Sequence, residues 1–153
     1  MQLLDLCLRS LHQDLDFSRV CVMLISRDKC WLQMRRVVGI DDSSALANFR
    51  IETERAGLFK LLLQRPQGVL IDAGNITKYQ KLIPQRFLAS IMTNNFVAMS
   101  LFIGNRPIAI IYADRSSQQQ KISAAQYQQF KQTIGLTSKA LTLLAKRQQS
   151  VKA

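Results

Sequence analysis

The sequence predicts an α+β fold in which one central antiparallel sheet carries helices on both faces. The chain has 153 residues, begins and ends with amphipathic helical patterns, and contains two pairs of consecutive apolar strands joined by short polar turns. Because these strands are apolar on both faces, each face of the sheet needs a covering layer. The length suits one domain, so we expect residues 1–153 to form a single unit with a folded core over about 3–147.

The first helix is predicted over residues 3–15, before Asp16 to Ser18 interrupts the pattern. Its apolar face repeats at the spacing of an α-helix and consists of Leu4, Leu8, Leu11 and Leu15. Arg19 to Ser26 is β-branched and apolar without a helical period, which indicates a strand buried on both faces. A turn at Arg27 to Lys29 joins it to a second strand, Cys30 to Val38, so the two strands form an antiparallel hairpin.

The middle segment is mixed, and we expect it to cover one face of the sheet while the terminal helices cover the other. Its predicted elements are a short helix at Ser43 to Ala47, a helix from Gly57 to Arg65 that Pro66 ends, a strand Val69 to Ile71, a loop Asp72 to Lys78 and a helix starting at Pro84.

The second hairpin is the clearest strand signal. Phe96 to Ile103 and Ile108 to Asp114 are long apolar runs, and Gly104 to Pro107 connects them through two residue types that tolerate positive φ. Since both runs are apolar on both faces, we expect them at the centre of the sheet.

The last helix has a capping box, Ser123 with Gln126, after the polar stretch Arg115 to Lys121. Ile122 and Tyr127 occupy the positions of a hydrophobic staple. An apolar seam with alternating spacings of three and four residues then follows, and it consists of Tyr127, Phe130, Ile134, Thr137, Leu141 and Leu144. This seam can pack on the sheet or against a second copy of the chain.

The charge balance is strongly basic, with 21 Lys and Arg residues against 10 Asp and Glu residues and a net charge of +11. Such an excess raises nucleic acid as a partner. The basic residues are scattered, however, and the densest pairs are Arg35-Arg36 and Lys146-Arg147, without interleaved aromatic residues. A solvated basic surface is therefore the first interpretation and nucleic-acid binding the second.

Little in the sequence indicates catalysis, a metal or a cofactor. His12 is the only histidine and lies in a terminal helix, so we expect a surface position for it rather than a role as base or ligand. Cys7, Cys21 and Cys30 lie among apolar neighbours and are predicted to be reduced core thiols of a cytoplasmic protein. Neither a signal peptide nor a membrane-spanning run is recognised.

The whole chain resembles a GAF domain, a small-molecule-binding and signalling module related to the PAS fold. The resemblance is most detailed in M-S-L-F-I-G-N-R-P-I-A-I-I-Y-A-D-R, Met99 to Arg115, and extends to Gly57–Pro66 and Tyr127–Lys131. These phrases are similar to the GAF-like C-terminal region of bacterial HDOD signalling proteins. The resemblance implies a three-layer sandwich, no enzymatic activity, and a fragment of a longer regulatory protein that senses or relays a signal to an attached module.

GAF domains that bind cyclic nucleotides carry an Asn-Lys pair, a Phe and an Asp-Glu pair near the last strand and helix. The corresponding positions here are Asp114-Arg115, Ile122 and Gln126-Tyr127, which do not match. The resemblance therefore leaves the ligand unidentified.

In GAF domains the ligand pocket lies between the sheet and the middle segment. On this resemblance the candidate pocket residues are Phe49, Phe59, Tyr79, Phe87, Met99, Leu101 and Tyr112, each of which can equally be a core residue. Asp114 and Arg115 end a core strand and can contact a polar ligand or form local ion pairs.

GAF domains also often dimerise through their first and last helices. The resemblance thus predicts a homodimer interface at Leu4, Leu8, Leu11, Phe130, Ile134, Leu141 and Leu144. Three functions remain open at this point: a sensory or relaying domain, a dimerisation scaffold without a ligand, and a nucleic-acid-binding module.

Overall fold

The computed structural model describes residues 2–39, 44–115 and 121–152. Its elements are the strands of one sheet and helices that cover the sheet. In chain order they are α1 (Gln2–Gln13), β1 (Arg19–Ile25), β2 (Trp31–Gly39), α2 (Ser44–Ala47), β3 (Arg50–Glu52), a 3-10 turn (Thr53–Arg55), α3 (Leu58–Leu62), β4 (Gly68–Ile71), α4 (Ile76–Tyr79), α5 (Gln85–Ile91), β5 (Phe96–Ile103), β6 (Arg106–Asp114) and α6 (Ala124–Lys152).

The six strands form one antiparallel sheet in the order β3-β2-β1-β6-β5-β4. The central pair, β1 and β6, joins distant parts of the chain, with Cys21 opposite Tyr112 and Val22 opposite Ile111. The predicted fold class, a central antiparallel sheet between helical layers, is confirmed.

Two hydrophobic cores lie on the two faces of this sheet. The terminal-helix face packs the leucines of α1 and residues such as Phe130 and Ile134 of α6 against Val22 and Ile111. The middle-segment face packs α2, α3 and α5 against the strand residues whose side chains point the other way. The predicted division of the helices between the two faces is therefore confirmed. No described helix combines the length and the apolar character that a membrane span requires.

The second hairpin has the predicted first strand, but β6 begins at Arg106, two positions before the predicted Ile108. The turn is consequently reduced to Gly104 and Asn105, and only Gly104 takes a positive φ, of 60°. Pro107 is accommodated inside β6 because it lies at a register shift of the β5–β6 ladder, where a missing N–H is tolerated.

The predicted capping box of the last helix is confirmed. The Ser123 backbone N–H donates to Gln126 Oε1 at 3.0 Å, and the Gln126 N–H donates to Ser123 Oγ at 3.0 Å. Further along, α6 is fastened to the hairpin, since Gly104 N–H donates to Thr142 Oγ1 at 2.9 Å. The helix is thereby held at its start and again over the hairpin turn.

The middle segment contains more regular structure than predicted. Strand β3, the 3-10 turn and α4 lie in stretches predicted as irregular or as loop. Ser43, the predicted start of α2, and residues 116–120 of the predicted linker lie outside the described residues.

The residues predicted for the dimer interface lie almost entirely inside the protomer, which corrects that assignment. Leu4, Leu8, Leu11, Phe130, Ile134 and Leu141 are buried between the terminal helices and the sheet, and only Leu144 is exposed. The seam of α6 faces its own sheet because that contact covers the apolar faces of β5 and β6. Of the predicted residues, Leu144 alone is therefore accessible to a dimer contact on these helices.

Candidate functional site

Aromatic side chains fill the middle-segment face, where a ligand pocket was predicted. Phe49, Phe59, Phe87 and Tyr112 are all buried there, together with Phe96. The Phe87 ring occupies the centre and makes edge-to-face contacts with the other four, at centroid distances from 4.9 Å to Phe59 to 6.4 Å to Phe96. These predicted pocket residues thus pack on one another, and they form the core of this face.

Met99 and Leu101 lie on the opposite face of the sheet, so their assignment to the same pocket is corrected. Both belong to the core under the terminal helices. Side chains alternate along β5, and it is Ala98, opposite Tyr112, that shares a face with the aromatic core. Tyr79 of α4 is half-buried at the margin of that core.

Asp114 is completely buried at the end of β6 and forms an ion pair with Arg19 at the start of β1. Arg19 Nη2 donates to Asp114 Oδ2 at 2.6 Å and Nε donates to the same oxygen at 3.2 Å. The Tyr112 hydroxyl also donates to Asp114. Arg19 Nη2 additionally donates to the carbonyl oxygen of Ile91, the last residue of α5, at 2.7 Å. The network therefore joins β1, β6 and α5.

Burial sets the protonation states in this network. Desolvation by itself would lower the pKa of the Arg19 guanidinium, but the hydrogen bond and charge of Asp114 more than offset it, and the pKa is raised. Burial raises the pKa of the Cys21 thiol to about 12 and that of the Tyr112 hydroxyl well above its ordinary value. Both acids stay protonated at neutral pH, so the charges that remain are those of Arg19 and Asp114.

Arg115 also forms a local ion pair, since its Nη2 lies 3.0 Å from Asp16 Oδ2. Of the two alternatives for Asp114 and Arg115, the ion pair is therefore the arrangement observed at both positions. Asp16 belongs to the connection between α1 and β1, and Gln126 of α6 donates to the Leu15 carbonyl in the same connection at 3.3 Å. The terminal helices thus meet the sheet beside the buried ion pair.

A surface cavity of about 370 Å³ lies at the end of α5, next along the chain from Ile91. It has apolar and polar walls, formed by Ala73, Leu88, Met92, Thr93, Asn94 and Asn95. Met92 ends α5 in a left-handed conformation, with φ of 57°, and its side chain is 86% exposed. Such walls suit a small ligand that forms hydrogen bonds with amide and hydroxyl side chains.

Sequence reasoning missed Arg19 and the Met92–Asn95 loop. The sequence does carry a signal for Arg19. Arg19 begins one apolar strand and Asp114 ends another, and charged groups among core residues need a partner when they are buried. The loop carried no signal, since its residues line a cavity only after α5 and β5 have packed.

His12 and Cys30 lie in surroundings that differ from the predicted ones. His12 is half-buried, and its Nδ1 lies 2.7 Å from the Phe17 carbonyl oxygen, so this nitrogen carries the proton and donates. Cys30 is exposed, in contrast to Cys7 and Cys21, which corrects its assignment to the core. It is the last residue of the turn before β2, and its backbone N–H donates to Asp28 Oδ1. Among residues 2–39, 44–115 and 121–152, no cluster of three or more His, Cys, Asp or Glu side chains suits a metal ion.

No protein-family model and no curated protein matches the chain. Solved structures do match it along nearly its full length. The GAF domain/HD domain protein from Geobacter sulfurreducens superposes with a TM-score of 0.73 at 12% identity, covering 94% of this chain and 92% of the other. The blue-light-absorbing PixJ GAF domain of Thermosynechococcus elongatus gives 0.69 at 11% identity, with coverage of 99% and 89%. Residues 122 to 287 of a methyl-accepting chemotaxis protein give 0.67 at 19% identity, with coverage of 94% and 90%.

These superpositions define the class of fold. The six-stranded antiparallel sheet with its two helical layers is the fold of GAF domains. The identities of 11% to 19% establish likeness of fold alone.

Proposed function

We propose that this chain is a regulatory domain of signal transduction, which senses a small polar molecule in the cavity at the end of α5 and relays the change through its terminal helices. The similar structures support this function, since they come from a chemotaxis protein, a GAF domain/HD domain protein and a light-absorbing protein. No catalytic step is part of the proposal.

The observation that carries the proposal is the double contact of Arg19 with Ile91 and Asp114. A ligand that moves the Met92–Asn95 loop also moves the adjoining Ile91 carbonyl, and the guanidinium links that carbonyl to both central strands. The start of β1 and the end of β6 lead directly to α1 and toward α6. A shift at the cavity therefore has a short, hydrogen-bonded route to the terminal helices.

The attached output module is proposed on the resemblance of Met99–Arg115 to the GAF-like region of bacterial HDOD proteins. In that arrangement the terminal helices connect the domain to the module whose activity it regulates, so helix movement is the output.

Native mass spectrometry of the purified domain tests the sensory function, with two exposed alanines as a matched pair. Ala73 lines the cavity at the end of α5, whereas Ala89 lines a different one. We expect a co-purified small molecule that Ala73→Phe removes and Ala89→Phe retains, because only the first phenylalanine fills the cavity. If the mass spectrum shows no bound small molecule, and no member of a panel of metabolites stabilises the domain against unfolding, the proposal that this cavity binds a signal is wrong.

A dimerisation scaffold is the second candidate, favoured by exposed leucines on the terminal helices. Leu6 is 62%, Leu143 61% and Leu144 45% exposed, and with Ala140 they border a groove of about 530 Å³ between α1 and α6. An apolar patch of this kind is typical of a protein contact. The aromatic filling of the middle-segment face also favours a function that needs no ligand there.

Sedimentation analysis separates the two candidates. A scaffold sediments as a dimer at high micromolar concentration, and Leu6→Asp with Leu143→Asp makes it a monomer. Leu82→Asp is the control, because Leu82 is exposed on the middle segment. A wild-type monomer at these concentrations contradicts the scaffold and leaves the sensory proposal standing.

A further inference from the structure

The outer edge of the sheet, at β3, carries a basic and aromatic surface that the sensory proposal does not use. We call it the β3-edge surface, and it consists of Trp31, Arg50, Arg55 and Arg86. These residues line a cavity of about 480 Å³, and a second cavity of about 370 Å³ shares Arg50 and Arg86 with it. Among the described residues, the one acidic side chain in the two linings is Glu52.

Arg50 lies over the ring of the only tryptophan of the chain. Its guanidinium carbon lies 3.7 Å from the centroid of the Trp31 ring. Strand pairing produces this contact, since Trp31 lies opposite Glu52 and Gln33 opposite Arg50, which places all four on one side of the β2–β3 ladder. Arg50 is exposed, so the second face of its guanidinium is open to solvent. Within the described residues, no side chain accepts a hydrogen bond from it.

Arg86 approaches from α5 and is also fixed in place. Its Nη2 donates to the Arg50 carbonyl oxygen at 2.6 Å, and its guanidinium lies 5.6 Å from the Phe49 ring centroid. The remaining N–H groups of Arg86 have no acceptor among the described residues. Arg55 is only loosely paired with Glu52, at 3.7 Å, and both side chains are well exposed. In the part of the chain that the structure describes, three guanidinium groups and one carboxylate thus line this cavity.

We propose that the β3-edge surface binds single-stranded nucleic acid. An unpaired base stacks on the open face of the Arg50 guanidinium, which Trp31 supports from behind, and the adjoining phosphates accept hydrogen bonds from Arg86 and Arg55. Because Arg50 and Arg86 are already immobilised by stacking and hydrogen bonding, little side-chain freedom is lost on binding. The net charge of +11 adds a general attraction for a polyanion.

The position of Arg50 over the Trp31 ring favours nucleic acid over an acidic peptide. Carboxylates contact only the N–H edges of a guanidinium, whereas a base also uses its face. A single strand is required because the bases of a duplex are stacked on one another and cannot reach Arg50.

Trp31 makes the site directly observable, because it is the only tryptophan and forms one wall of the surface. Its fluorescence is followed while oligouridylate of about 12 nucleotides is added, a length within the range that known single-strand binders occupy. We expect saturable quenching, with affinity reduced roughly tenfold or more in Arg50→Ala and in Arg86→Ala, as for loss of a stacked base. Two phosphate contacts, from Arg86 and Arg55, give a fall of roughly 25-fold in affinity per tenfold increase in salt.

Two further variants sharpen the test. Arg65→Ala removes the same charge and side chain from an exposed position at the end of α3, beside the opposite edge of the sheet. Its affinity should equal that of the wild type within twofold. Arg50→Lys keeps the charge and loses the planar group, and should bind almost as weakly as Arg50→Ala.

Several results would overturn the proposal. Unchanged Trp31 emission at low salt shows that nothing binds at this surface. Equal weakening by Arg65→Ala, or wild-type affinity in Arg50→Lys, shows scattered electrostatic attraction instead of a site. Equally strong quenching by polyglutamate assigns the surface to an acidic protein, and equally strong binding of duplex excludes recognition of a single strand.

Discussion

The Arg19 side chain connects β1 with β6 and α5 through hydrogen bonds, so its removal should lower the free energy of unfolding. In Arg19→Met the Asp114 carboxylate stays buried without its cation, and the Ile91 carbonyl loses its donor. We expect the free energy of unfolding to fall by about 3–5 kcal/mol, as for other broken buried ion pairs. Urea denaturation measures this loss, and Arg65→Met, at an exposed position, serves as the control.

The double variant Arg19→Met with Asp114→Leu tests the reason for that loss. Removing both charges leaves no uncompensated ion, so a large part of the stability should return. If the double variant is as unstable as the sum of the two single variants, the cost arises from packing and the electrostatic explanation is wrong.

The three thiols should differ sharply in reactivity. Cys7 and Cys21 are buried and Cys30 is exposed. Burial raises the pKa of Cys7 and of Cys21, which removes the thiolate that reacts. Titration with a disulfide reagent near neutral pH should modify one thiol in the folded protein and three in denaturant. Cys30→Ser should abolish the native reaction; rapid modification of a second thiol would contradict the structure.

At the scale of single residues, the aromatic core could be predicted from the sequence, but the face of the sheet on which each strand residue lies could not. Phe49, Phe59, Phe87 and Tyr112 are predicted as pocket residues on the resemblance to GAF domains, and they do lie together. Met99 and Leu101 were grouped with them although alternation along β5 separates them from Tyr112 by the thickness of the sheet. Arg19 and Asp114 were not paired, because a contact across 95 residues leaves no local pattern.

Among the elements, the start of α3 depends on a glycine that has no room for a side chain. Gly57 has φ of 56°, and a Cβ there would lie 1.9 Å from the Leu82 carbonyl oxygen. Gly57→Ala should therefore displace α3 from the α4–α5 connection and lower the free energy of unfolding by more than about 1 kcal/mol, the minimum expected for a strained left-handed position.

Gly135 provides the opposite case within α6. A Cβ at this position would meet nothing within 4 Å. Gly135→Ala should raise the free energy of unfolding by about 0.5–1 kcal/mol, since alanine has the higher helix propensity. Thermal unfolding of the two variants should shift in opposite directions from the wild type. Equal shifts would show that the two backbone positions do not differ as described.

Elements with strong local signals were predicted well. The capping box of α6 and the β5–β6 hairpin depend on residues that are neighbours in the chain, such as Ser123 with Gln126 and the Gly104-Asn105 turn. Strand β3 was missed because three residues carry no periodicity and its partner Trp31 lies about 20 positions earlier. Helix α4 was missed since its four residues follow the turn-forming Asn75.

For the molecule as a whole, the buried acids make stability sensitive to alkali. The pKa of Cys21 is raised to about 12 in the folded state. The protonated Cys21 thiol contributes fully to the free energy of unfolding below the ordinary thiol pKa of about 8.5. This contribution is lost as the pH rises toward the pKa of the folded state, because the unfolded chain releases the proton first. Tyr112 adds to the same trend at higher pH, since burial raises its pKa too.

The free energy of unfolding should therefore decline as the pH rises from about 8.5 toward the folded pKa of about 12, by up to about 1.4 kcal/mol per pH unit for one fully titrating group. Urea denaturation at several pH values measures the slope. Cys21→Ala should reduce the slope to the part that the other buried thiol, Cys7, contributes, and Cys30→Ala, which removes an exposed thiol, should leave it unchanged. A slope that responds equally to both variants would contradict the assignment to Cys21.

The central position of β1 and β6 also has a consequence for biosynthesis. The β1–β2 hairpin can close as soon as residues 19–39 have left the ribosome, but the other edge of β1 pairs with Arg106–Asp114 of β6. Until that late strand is synthesised, the nascent chain presents an unpaired edge whose residues Val20 to Met23 are apolar on both sides. Slow translation of the middle segment would prolong this exposure, so the rate of elongation there should influence how much of the protein escapes aggregation.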